Sequence, residues 1–266
     1  MKFNCGSVNP IYGVTRDVET NEYVIVTHFQ NEGNLRRLIS EKHAELTWKN
    51  VIFMLYNISF GLFHIHDRKY HHKDFHSGNI LNSIINNDYF RSVISDFGMS
   101  CPANESSKDK AVYGVIPFVA PEVLQGGEYT NKADVYGLGM IMWEILSGEP
   151  PFIDREYDQY LMRDICLNQL RPPIPEYAPE PYVTLMQQFW DPVPENRPTA
   201  DQLIDQFWQW YKISADDSMD DDQEIRRAFS KEREDEWKAR LAEKAVNPQP
   251  IKPSHNFFTS KRLDGM

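Results

Sequence analysis

Positive charge is scarce in this chain of 266 residues: 28 lysines and arginines stand against 39 aspartates and glutamates, a formal net charge of -11. That balance excludes a broad nucleic-acid-binding face or a surface for anionic membranes, since both need a basic patch. Cysteine is scarcer still. Cys5, Cys101 and Cys166 are odd in number and widely spaced, so they form neither a disulfide framework nor a zinc spacing, and a reducing compartment is expected, the cytoplasm by default. Long apolar runs are missing too: the most apolar window, Val51 to Ile65, is interrupted by Asn57, Ser59 and His64 and is too short for a bilayer. No signal-peptide core follows Met1-Lys2, where Asn4, Gly6 and Asn9 stand instead.

What the chain does have is enough apolar residue, 41%, to bury a core in one or two domains. Ile11 to Val14 and Tyr23 to Thr27 are short β-branched or aromatic runs that predict a hairpin. Thr47 is a candidate N-cap for an amphipathic helix ending near Asp67, because Trp48, Val51, Ile52, Leu55, Ile58, Leu62 and Ile65 recur at three- and four-residue steps. Ile80 to Ile85 and Tyr89 to Ser95, joined by Asn86-Asn87-Asp88, predict a second hairpin. Residues 99 to 119 show little periodicity. Thr130 to Ser147 is apolar around most of a helical wheel, which predicts a buried helix stopping at Gly148. Leu161 to Leu170 and Tyr182 to Trp190 are further helices, and a last core helix ends near Tyr211.

Beyond it Asp216, Asp217, Asp220, Asp221 and Asp222 form an acidic run expected to be a solvated linker. Glu224 to Val246 is a charged helical stretch with Glu234–Lys238 and Glu236–Arg240 at supportive spacing. Its apolar stripe, Ile225, Phe229, Trp237 and Leu241, is narrow, so a frayed exposed helix is favoured over docking on the lobe or on a protein partner. Pro248, Pro250 and Pro253 predict disorder from Asn247 onward.

The chemistry concentrates between His71 and Gly98. His72-Lys73-Asp74 followed by Asn79 fits the H-R-D-L-x-x-x-N catalytic loop of protein kinases, with Lys for Arg and Phe for Leu, and Asp96-Phe97-Gly98 fits D-F-G. Ala120-Pro121-Glu122 fits A-P-E. On these motifs the chain resembles a protein kinase of the tyrosine-kinase-like group. The resemblance implies an α+β fold: a remnant of the β N-lobe at 1–28, a hinge at 29–35, a mainly helical C-lobe at 36–212 and a charged tail at 213–266. It also implies ATP and Mg2+ as cofactors and a protein substrate.

By that resemblance Asp74 is the base that positions the acceptor hydroxyl, with Lys73 the cation next to it, and Asn79 and Asp96 are magnesium ligands. Thr27 takes the gatekeeper position, Phe29 and Gln30 face adenine, and Leu81 lies beneath it. Ile11, His72 and Phe97 match a hydrophobic column between lobes. Glu122 and Arg197 match a buried ion pair, Asp134 braces the catalytic loop, and Ser106, Ser107 and Tyr113 are candidate phosphosites. His64, His66, His71, His72 and His76 crowd together without a zinc spacing, His64 and His66 fall on different faces of a helix end, and His72 already has a place in the resemblance, so a zinc site is not expected.

Two departures qualify the resemblance. The 27 residues before His28 contain one lysine, Lys2, and neither the glycine loop nor the lysine–glutamate pair that grips ATP phosphates in the family. The expectation is an N-terminally truncated kinase of much reduced activity, with a non-catalytic kinase-like binding module, or a fragment that never folds stably, as rivals. His76 and Val115 replace the residues that separate serine/threonine from tyrosine kinases, although residues 114–119 look more like the serine/threonine or tyrosine-kinase-like group.

Overall fold

The computed structural model describes residues 5–85, 89–103, 112–215, 222–246 and 260–263. Lys2, the turn at 86–88, Ser106 and Ser107, Asp216 to Asp221 and the proline-bearing stretch 247–259 lie outside the described residues. In chain order the elements are β1 (Ile11–Arg16), β2 (Tyr23–Thr27), α1 (Leu35–Lys42), α2 (Trp48–Asp67), β3 (Tyr70–His71), β4 (Ile80–Ile85), β5 (Tyr89–Ile94), β6 (Cys101–Pro102), β7 (Val112–Gly114), α3 (Pro121–Leu124), α4 (Asn131–Ser147), α5 (Gln159–Leu167), α6 (Glu180–Phe189), α7 (Ala200–Ala215), α8 (Gln223–Ala228), α9 (Lys231–Val246) and β8 (Lys261–Leu263). The strands form four antiparallel two-stranded ribbons, β1–β2, β3–β6, β4–β5 and β7–β8. This is an α+β fold in which helices carry the core. Among the described residues no helix is long and apolar enough to cross a membrane.

Local chemistry sets the helix ends. Thr47 caps α2 by accepting the Asn50 N–H, and Thr130 caps α4 by accepting that of Lys132. Gly148 ends α4 in the left-handed region at φ +75°, where a β-carbon would be strained. Between those caps α4 buries every residue from Ala133 to Ser147, as an all-round apolar helix must. Its Gly137 lets the helix approach the loop after β3: a β-carbon there would lie 2.6 Å from the Phe75 carbonyl oxygen.

The β1–β2 hairpin stands apart from this core. All its residues are exposed, Ile11 among them at 38%, so Ile11 does not join the column expected of it. The packed contact comes earlier in the chain, where buried Val8 bridges Ile94 and the Asn9 N–H donates to the Ile94 carbonyl. Seven apolar or aromatic side chains left outward on the strands of a free hairpin bury too little surface to define the hairpin's place, so backbone bonds through Asn9 and Pro10 do so.

The charged C-terminal stretch departs from the exposed helix expected. It is two helices broken at Phe229-Ser230, and its narrow stripe is docked. Trp237 is fully buried, stacked on Trp48 at 4.3 Å between ring centroids, and donates its indole N–H to the Leu146 carbonyl at 2.9 Å. Phe229 meets Trp48 and Trp210. Glu234 accepts the Trp48 backbone N–H at 3.0 Å, placing a carboxylate at the N-terminus of α2. Glu234 pairs with Lys238 as the spacing suggests, but Glu236 pairs with Arg233 and Arg240 with Glu243. Four apolar side chains suffice because two are aromatic, each contributing far more buried area than an aliphatic one.

A half-buried histidine and a fully buried one add a pH dependence. His43 and His72 donate Nε2–H to the carbonyls of Ile145 at 2.5 Å and Ser95 at 2.9 Å, leaving Nδ1 buried with no partner among the described residues. Burial pushes both rings below the ordinary histidine range, outweighing the bond to Ile145 at His43 and the Asp134 charge at His72.

Trp237→Ala is expected to cost about 3–5 kcal/mol in denaturant unfolding, against less than about 1 kcal/mol for the partly exposed Trp208→Ala; equal small losses would mean that α9 is undocked. Below about pH 6.5 the unfolded chain protonates His43 and His72 while the folded chain keeps them neutral. Their stabilisation is therefore complete above that pH and declines below it, by at most about 1.4 kcal/mol per pH unit per ring. Thermal melts should show Tm level above about pH 7 and falling before the carboxylates titrate; a Tm level down to about pH 5 would contradict this.

Candidate active site

The site is built outward from Asp134, in the first turn of α4 and fully buried. Its carboxylate accepts four hydrogen bonds: the His72 N–H at 3.0 Å, the Lys73 N–H at 3.2 Å, the Tyr129 hydroxyl at 2.6 Å and the His66 Nε2 at 2.9 Å. Burial alone would raise its pKa, but the bond and charge of His66 lead the effects that hold it below the usual carboxylate range. Two of these donors are backbone groups of the loop after β3, where Lys73 adopts φ +70°. A non-glycine residue there costs about 1 kcal/mol or more, and the bonds to Asp134 offset that strain.

The loop then presents Asp74, which is buried. Asn79 donates its side-chain N–H to the Asp74 carbonyl at 2.9 Å and carboxylate at 3.3 Å. The Gly78 N–H donates to His76 Nδ1 at 3.0 Å, which leaves the ring hydrogen on Nε2, 3.5 Å from the Asp74 carboxylate. Burial pushes Asp74 upward, but His76 and the Ser260 hydroxyl outweigh it, and the carboxyl sits below its ordinary value. Ser260 Oγ lies 2.7 and 2.6 Å from the two Asp74 oxygens. Lys73, expected as a cation beside this acid, turns its ammonium toward the Tyr129 ring, 5.9 Å from the centroid.

Across the β4–β5 ribbon the second acid comes near. Ile80 pairs with Ile94, and the Ser95 N–H and hydroxyl both donate to the Asn79 carbonyl at 2.9 Å, so Asp96 follows directly on the strand beside Asn79. Asp96 is exposed at φ +59° and accepts the Gly98 N–H at 3.2 Å. His72 packs on Phe97 at 5.4 Å between rings. The Asn79 side-chain nitrogen is committed to Asp74, which leaves its oxygen, with the Asp96 carboxylate, as hard donors suited to a divalent cation. Among the described residues no three His, Cys, Asp or Glu side chains gather into a metal cluster.

On the hinge side Thr27 is exposed opposite Ile11, Phe29 is 83% exposed, and Gln30 donates its side-chain N–H to Asn9 at 2.9 Å. Leu81 is half-buried, paired with Val93 and bridged to Asn34. Behind the site Arg197 grips Glu122 through two parallel bonds of 2.7 and 2.9 Å and also donates to the Lys132 and Asp191 carbonyls. Tyr113 lies in β7, paired with Arg262.

His66, Asn9 and Ser260 are contributors the sequence did not single out. His66 at a helix end had a signal in its crowded neighbours, read only as a metal question. Nothing local marked Ser260, because its partner is 186 positions away.

The sequence matches the family model of the protein tyrosine and serine/threonine kinase domain over residues 1–207. It is 30% identical over 183 residues, 68% of this chain, to the serine/threonine/tyrosine-protein kinase HT1 of Arabidopsis thaliana, of which it covers 46%. It is 30% identical over 194 residues, 68% of this chain, to the mitogen-activated protein kinase kinase kinase 10 of Xenopus laevis, of which it covers 18%. The chain thus spans less than half the length of these relatives, and about a tenth of some others. With that match over most of its length and a loop, ribbon and ion pair arranged as described, the chain belongs to the protein tyrosine and serine/threonine kinase family.

Proposed function

We propose that the site transfers the terminal phosphoryl group of ATP to a protein hydroxyl, serine or threonine in preference to tyrosine. The observation that carries this reading is the Asp74 carboxylate, buried yet kept ionised by His76 and positioned by Asn79, with a serine hydroxyl within 2.7 Å. Asp74 accepts the acceptor proton and aligns its oxygen for attack. Asn79 and Asp96 hold Mg2+, which when bound neutralises charge on the transferring phosphate oxygens. His76 stands two residues after Asp74, and its Nε2–H faces the place where the acceptor oxygen lies. Asp134 and the Glu122–Arg197 pair keep the loop and the end of the activation segment fixed. Thr27, Phe29, Gln30 and Leu81 line the adenine side. The names of the relatives support serine or threonine.

A second reading, a kinase-like binding module without catalysis, is favoured by one feature. Every residue of β1–β2, the ribbon ahead of the hinge, is exposed, and backbone bonds fix its place. A ribbon so held is a poor platform for the positioned groups that phosphoryl transfer needs.

Transfer from labelled ATP to a serine-bearing peptide by the full chain separates the two. Under the first reading transfer requires Mg2+ and falls about 100- to 10,000-fold in Asp74→Asn, while the melting temperature stays near that of the parent. Transfer that is absent, or equal in parent and variant, supports the module instead.

A further inference from the structure

Segment 260–263, separated from α9 by the thirteen residues 247–259, returns to the one carboxylate that matters most. β8 adds to β7 as an antiparallel strand, with Val112 opposite Leu263, Tyr113 opposite Arg262 and Gly114 opposite Lys261. β7 belongs to the activation segment just before Val115 and the 3-10 turn at Ile116–Phe118, and it passes close to Asp74. A β-carbon on Gly114 would lie 2.7 Å from the Val119 side chain and 3.8 Å from the Asp74 carboxylate, which places the strand against the acid.

Three contacts hold the added strand in register. Leu263 is buried in the main core. Lys261 donates its ammonium to the Tyr157 carbonyl at 3.2 Å. Ser260 places Oγ at 2.6 and 2.7 Å from Asp74 and 3.3 Å from His76 Nε2. Backbone pairing with a sheet edge plus one buried anchor is how extended peptides are recognised. A hydroxyl within hydrogen-bond reach of a carboxylate is also the geometry a phosphoryl acceptor needs.

We propose that Ser260–Leu263 occupies the peptide-acceptor groove in cis and that Ser260 is a phosphoacceptor of this same chain. The proposal rests on the phosphotransfer reading of Asp74. Ser260 Oγ attacks the γ-phosphorus of ATP and gives its proton to Asp74. The new Oγ–P bond forms as the bond from that phosphorus to the β,γ-bridging oxygen breaks, and ADP leaves with the electron pair. The product carries about -1.5 to -2 charges against Asp74, so repulsion expels the segment. The groove is therefore occupied before modification and open after it. It also defines an acceptor class: a serine followed by two basic residues and an apolar residue at the third position. Tethering through a short linker keeps such a segment at about millimolar effective concentration, enough to exclude most peptides arriving from solution.

Two measurements on the full chain test this. Hydrogen exchange at the amides of 112–114 reads docking without any chemistry: Leu263→Asp, and independently Ser260→Glu, should speed exchange there at least about tenfold, and unchanged exchange in both overturns the proposal. Incubation with ATP and Mg2+ followed by mass spectrometry reads the acceptor. Phosphate should appear on Ser260 at a rate per molecule independent of protein concentration, and not in Asp74→Asn. Leu263→Asp should phosphorylate an added peptide copy of residues 256–266 at least about tenfold faster than the parent. Phosphate on the peptide with none on Ser260 overturns the cis acceptor and leaves the kinase reading standing. Phosphate on neither overturns the kinase reading itself, and Ser260 as acceptor with it.

Discussion

A single buried carboxylate, Asp134, decides the geometry of everything around it. Removing a charge from water is costly, and here the cost is offset only because four donors converge on the two oxygens. Those donors come from the end of α2, from two consecutive amides of the loop that carries Asp74, and from the approach to α4. Satisfying one acid therefore fixes three pieces of chain relative to one another. The strained backbone at Lys73 follows from it, and so does the direction in which Asp74 leaves the loop. Mutual satisfaction is what makes such a network specify one arrangement, since any partner moved away leaves a buried charge under-bonded.

Much of this was legible in the sequence, and the reason is locality. Thr47 capping α2, the all-round apolar α4 and its stop at Gly148, and the β4–β5 ribbon that sets Asn79 beside Ser95 are written in patterns of a few residues. Asp74, Asn79 and Asp96 stand within 23 positions and were found by their order. Contacts that close over long separations were hidden. His66 to Asp134, Glu234 to Trp48 and Ser260 to Asp74 join residues 68, 186 and 186 positions apart, and no local periodicity carries that information.

The charged tail shows the same limit from the energetic side. Counting apolar residues in 224–246 gives too narrow a stripe for a stable helix, and by propensity alone fraying is the reasonable expectation. The count treats Trp237 as one residue among four. Its ring stacks on Trp48, its N–H closes the free carbonyl of Leu146 at the end of α4, and His43 meets it edge-on at 5.1 Å between ring centroids. Where an aromatic side chain is both the apolar anchor and a hydrogen-bond donor, its position in three dimensions decides more than the number of its companions.

The two networks meet through one helix. α2 has 20 residues, a rod of about 30 Å. At its N-terminus the backbone N–H of Trp48 is taken by Glu234 of α9, a negative charge where the helix dipole favours one. At its C-terminus His66 shares a hydrogen bond with Asp134, which also accepts the amides of His72 and Lys73. Packed along its length against α7 and β5, such a rod moves as a unit or hardly at all. The docked tail helix and Asp134 are thus bonded to opposite ends of one helix, Glu234 at its first turn and Asp134 at its last.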